Sequence, residues 1–136
     1  MPNIEEIISE KKFVTDRIST QVRIISVGLL ATTWSLLIGQ VNIFINTLQC
    51  FRIHFILISI FAIITLVLDF LQYKFSYLNI DKTINKMRNE KIDKADYDDK
   101  DICYKLSTFC FKNKQLTLLV GVVYFIITMF IIILTS

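Results

Sequence analysis

The chain has 136 residues, 54% of them apolar, with a formal charge of +3 and a mean hydropathy of +0.56. That is too apolar for an ordinary soluble domain of this size and places the chain in a bilayer. The small positive balance reads as membrane topology and not as a nucleic-acid footprint, so membrane lipid is the expected partner and nucleic acid is not.

Pro2-Asn3 followed by Glu6 has the pattern of a helix start, with Asn3 as N-cap and Glu6 reaching back to it. Ile4, Ile7, Ile8, Val14 and Ile18 recur at helical spacing, and no Pro or Gly follows until Gly28. One helix is therefore predicted to run from residue 3 through the charge-free stretch that opens at Ile24. Residues 3–21 lie outside the membrane and 22–45 form the first transmembrane helix. Glu5, Glu6 and Glu10 stand where a signal peptide would be positive, so this segment is expected to stay on the mature protein. The polar run Asn46-Thr47-Leu48-Gln49-Cys50 is the predicted turn.

The stretch Phe55 to Leu68 is too short to span alone, since a spanning helix needs about 20 residues. The second transmembrane helix is therefore predicted over 52–72, with Arg52, His54 and Asp69 in its interfacial zones. Its apolar stripe continues through Phe75, Leu78, Ile84 and Met87, which predicts a helical extension able to pack antiparallel on 3–21 as a short coiled coil. Residues 93–101 form an acidic run that lacks the central Gly and closing Glu of a calcium loop, and they read as a solvated turn. A shorter amphipathic helix with Ile102, Leu106, Phe109 and Cys110 on one face is predicted to end near Asn113. It completes an extramembrane helical region over 73–114, and the third transmembrane helix occupies 115–135. The fold class expected is an all-α membrane protein, one integral membrane domain over 1–136. It has three transmembrane helices, with cytoplasmic helical-hairpin extensions of the first two.

Charge orients this layout. Lys11, Lys12, Arg17 and Arg23 precede the first span and ten Lys or Arg lie from Lys74 to Lys114, whereas the turn and the C-terminus carry none. The positive-inside rule puts the charged regions and the N-terminus in the cytoplasm and the C-terminus outside.

If the first two spans form a hairpin turning near Asn46, each residue faces the one whose number brings the sum to 92. Arg23 then faces Asp69 at one membrane depth, Glu10 faces Lys82, Lys11 faces Asp81, Val14 faces Leu78 and Ile8 faces Ile84. Because a lone charge in hydrocarbon costs at least about 2.5 kcal/mol, Arg23 and Asp69 are the foremost candidate site. Polar stripes at helical spacing add Ser26, Thr33 and Gln40 on the first span, Arg52 and Ser59 on the second, and Thr117 and Thr128 on the third. Two roles fit such stripes: close helix packing with hydroxyls bonded across helices, or the lining of a narrow pore. Trp34, near mid-span, is expected to pack inside the bundle. The one histidine, His54, makes no metal site by itself. No nucleophile–base set, phosphate loop or metal cluster is present in the sequence, which predicts a non-enzymatic protein without a cofactor.

A helix before the first span, a two-span hairpin and a helical extension together resemble the small two-span effectors found beside bacterial nucleotide-signalling and antiphage systems. Residues 17–39 (RISTQVRIISVGLLATTWSLLIG) carry the most similar texture. The resemblance implies a homo-oligomer that perturbs the inner membrane when a partner activates it. The function expected is thus a self-assembling, regulated pore or membrane-perturbing effector in antiviral defence. The alternative is an accessory, immunity or anchoring subunit that docks a cytoplasmic protein through its helices.

Overall fold

The computed structural model describes residues 4–38, 51–90 and 100–135. They form three helices: α1 (Ile4–Ile38), α2 (Arg52–Glu90) and α3 (Ile102–Thr135). At 1.5 Å per residue these are roughly 52, 58 and 51 Å long, well beyond the roughly 30 Å of a hydrocarbon core. Each is long and apolar enough to cross a membrane. The chain is an all-helical, multi-pass membrane protein.

The helices run antiparallel in chain order, and α2 is central. It packs along both neighbours, whereas α1 and α3 touch each other little. The hairpin of α1 and α2 keeps pairs whose numbers sum to 92: Arg23 with Asp69, and Thr33 with Ser59, whose hydroxyls are 2.8 Å apart. The hairpin of α2 and α3 has a register of its own. Asp69 with Lys114, Ser76 with Ser107 and Lys82 with Asp101 all sum to 183.

Apolar burial holds the membrane half together. Leu29 of α1, Phe55, Ile58 and Ala62 of α2 and Ile132 of α3 form the core, with Leu36, Phe51, Phe125 and Met129 packed around it. Gly121 sets the spacing of α2 and α3, because a Cβ there would stand 3.1 Å from Phe61 Cβ. Hydroxyls in this dry setting are satisfied by their own helix: Ser26 donates to Val22 O, Thr65 to Phe61 O and Thr128 to Tyr124 O. The outward faces carry Ile24, Ile63, Phe70, Leu119, Ile126 and Phe130, all exposed on the bundle and suited to lipid.

Three expectations change. The predicted break near Asn113 does not occur, and α3 is continuous from Ile102. Lys112, Asn113 and Lys114 look like a loop only while Lys114 has no partner; buried against Asp69, it lets the helix run on. Asp101 starts that helix, its carbonyl accepting from Lys105 N and its carboxylate from Cys103 N. Beyond the membrane, the molecule is therefore a stalk to which α3 also contributes. Second, the apolar stripe expected to form the coiled-coil seam is not the buried one: Val14, Leu78 and Ile84 are exposed, while Ser19, Gln72 and Asn79 are buried. Third, Trp34 is exposed on the outer face instead of packed inside.

Candidate functional site

Where the three helices leave the membrane, each contributes to one ionic cluster. Asp69 of α2 is its centre. Arg23 of α1 donates to Asp69 Oδ2 from Nε (3.1 Å) and Nη2 (2.8 Å). Lys114 of α3 donates from Nζ to Oδ1, and Ser19 Oγ donates to the same oxygen at 2.7 Å. Lys114 Nζ also donates to Ser19 Oγ (2.6 Å), so the hydroxyl relays between ammonium and carboxylate.

Local helix geometry puts these groups together. Ser19 and Arg23 are one turn apart on α1 and so share a face. Asp69 is one residue past the charge-free Phe55–Leu68 stretch, and Lys114 is two residues before the third apolar run. Tyr73, one turn after Asp69, lays its ring beside both cations, 5.5 Å from Arg23 Cζ and 5.9 Å from Lys114 Nζ. Phe111 covers Lys114 from its own helix at 5.2 Å. The side chains of Lys114 and Asp69 are 0% and 6% exposed, whereas Arg23 is 52% exposed. A dry pair, Lys114 with Asp69, is thus flanked by a half-solvated guanidinium.

The two cations are not equivalent. Removing Lys114 leaves Asp69 with Arg23 and Ser19; removing Asp69 leaves a buried ammonium with only a hydroxyl. The cluster's donors are cations and hydroxyls, and both carboxylate oxygens are occupied. That donor set repels a metal and offers no free base, so its chemistry is to hold charge and fix helices.

Of the residues singled out from sequence, the structure brings Arg23 and Asp69 into an ion pair and Thr33 and Ser59 into a hydrogen bond. Ser26, Thr33, Ser59 and Thr128 are buried among the three helices. Thr117 is half-buried with its hydroxyl on Asn113 O, and Arg52 is exposed. Of the expected pairs Glu10 with Lys82 and Lys11 with Asp81, the α2 members are described. Lys82 gives its ammonium to both oxygens of Asp101 (3.0 and 2.9 Å) and to Cys103 Sγ, while Asp81 accepts from Asn85 of its own helix. The side chains of Glu10 and Lys11, and the whole of Gln40, lie outside the described residues. Lys82 holds the Asp101 carboxyl below its ordinary range, and Asp101 in turn raises the Lys82 ammonium. At the other membrane boundary His54 Nδ1 and Tyr124 OH are 2.6 Å apart.

Sequence reasoning missed Ser19 and Lys114. A signal for Lys114 was present: Asp69 with Lys114 and Lys82 with Asp101 are opposite-charge pairs in a common antiparallel register. Ser19 carries no signal beyond sharing the face of Arg23.

Fold and site together define a multi-pass helical membrane protein whose three helices are tied by a buried ionic cluster at the membrane boundary. Comparison with protein families, with characterised proteins and with solved structures returns no match.

Proposed function

We propose that this chain is a non-enzymatic membrane anchor or accessory subunit that presents a rigid helical stalk to a protein partner. The observation that carries the reading is the division of its surface. Polar groups of the span are consumed inside the bundle, whereas the stalk exposes large apolar side chains, with Tyr77 68% and Ile102 70% accessible. Exposed apolar residues beyond a membrane span have no lipid to cover them, which fits a protein interface. The same segments carry exposed Lys86, Arg88 and Lys105 beside exposed Asp81 and Glu90, so the complementary surface is apolar with acidic groups set against those cations. Following the positive-inside rule, the stalk is cytoplasmic in a bacterial inner membrane.

The test is expression of the chain alone from a tight promoter, with membrane potential and dye entry followed in the cells. An anchor leaves both unchanged. It also cross-links one stoichiometric protein from a photoreactive residue at Tyr77, and loses it in the Lys86→Glu/Arg88→Glu variant. Depolarisation that Asp69→Asn alters would overturn the anchor reading in favour of a self-assembling pore or effector.

A further inference from the structure

The cluster around Asp69 is electrically unbalanced, with two cations on one carboxylate. Lys114 is enclosed and spends its ammonium on Asp69 and Ser19. The surplus positive charge therefore emerges through Arg23. Its bonds to Asp69 use Nε and Nη2, and its side chain is half exposed.

The neighbouring helices supply no second acid. On α2 Asp69 is the sole acid from Arg52 to Ile80, and α3 has none from Ile102 to Thr135. On α1 the acid on the Arg23 face is Asp16, two turns farther from the membrane, about 10 Å along the axis. Arg23 itself immediately precedes the charge-free run that begins at Ile24, so its guanidinium lies at the depth of lipid phosphates. Lys74 and Lys112, both exposed, stand near the same level on α2 and α3.

We propose that Arg23 binds the phosphate of an anionic phospholipid from the leaflet on the stalk side, beside the Tyr73 ring, and that this lipid completes the charge of the cluster. The geometry matches: a planar guanidinium held by Asp69 through Nε and Nη2, and half exposed, is already ordered where it meets a phosphate. A zwitterionic lipid fits less well, because its amine meets Arg23, Lys74 and Lys112 with only the distant Asp16 to pair with.

The experiment is native mass spectrometry of the delipidated protein in detergent, with phosphatidylglycerol or phosphatidylcholine added at equal concentration. The expected result is one phosphatidylglycerol retained about fivefold better than phosphatidylcholine, the preference that a single interfacial basic residue supplies. Arg23→Gln abolishes the preference, Arg23→Lys keeps part of it, and Lys12→Gln, out on the stalk, leaves it intact. Equal retention of the two lipids, or an unchanged preference in Arg23→Gln, overturns the proposal. Displacement of the lipid by inorganic phosphate overturns the lipid as occupant. Should Arg23→Gln fail to fold, the wild-type protein decides: its melting temperature must be higher in phosphatidylglycerol than in phosphatidylcholine vesicles.

Discussion

Replacing Asp69 and Lys114 separately and together distinguishes a charge network from an incidental contact. In Asp69→Ala, Lys114 loses its only counter-ion while remaining fully enclosed, and Arg23 simply turns outward to water or headgroups. Breaking a buried pair from that side costs about 3–5 kcal/mol, because an uncompensated charge is left in a dry site. In Lys114→Met the side-chain volume is kept, and Asp69 retains two bonds from Arg23 and one from Ser19. Losing one charge-assisted hydrogen bond, offset by relief of the ammonium's desolvation, costs about 1–2 kcal/mol. The double variant Asp69→Ala/Lys114→Met removes both buried charges and is expected to be more stable than Asp69→Ala alone. The assay is reversible unfolding of detergent-solubilised protein in a graded SDS series, followed by helical circular dichroism, with the coupling extracted from the cycle. Equal costs for the two single variants, or additivity in the double, would refute the claim that the pair is dry and that Asp69 is the group both cations need.

Cysteine pairs at Thr33 with Ser59 and at Ser76 with Ser107, in a background without native cysteines, should each cross-link within one chain; absence of the first denies the α1–α2 register and absence of the second the α2–α3 register. Gly121→Leu forces α2 and α3 apart against Phe61 and should cost about 1–3 kcal/mol by overpacking, read as a lowered melting temperature in detergent. Because Lys82 depresses the Asp101 carboxyl, the contribution of that pair is present above the ordinary carboxylate range near pH 4 and is lost as pH falls through the folded value. Amide exchange at the start of α3 should accordingly quicken at pH 3 relative to pH 6. Asp101→Asn should blunt that difference, and high salt should weaken it at both pH values.

The α1–α2 register was readable because one opposite-charge pair, Arg23 and Asp69, sits at the edges of two apolar runs, and membrane depth removes most alternatives. The second register was equally encoded, in Asp69 with Lys114 and Lys82 with Asp101. The local pattern hides it, because the run from Ile102 and the apolar run from Gln115 read as two separate helices. A polar run such as Lys112-Asn113-Lys114 looks like a helix end in isolation. Whether it is one depends on where the Lys114 ammonium goes, and that is a property of α2, not of the run. The same limit applies to Val14, Leu78 and Ile84: their spacing says that a stripe exists, not that a helix covers it.

The sequence by itself determined the class, the number of spans and the stacking of Arg23 on Asp69, because hydrophobic length, absence of charge and pairing of like depth are local or one-dimensional constraints. Only the tertiary structure decided that Asp69 serves two cations, that Lys82 belongs to Asp101, and that the stalk has a contribution from α3. Each of those is a choice among competing partners. The choice falls to whichever side chain reaches the site with the least unpaired charge left buried, and that is settled only when all three helices are in place.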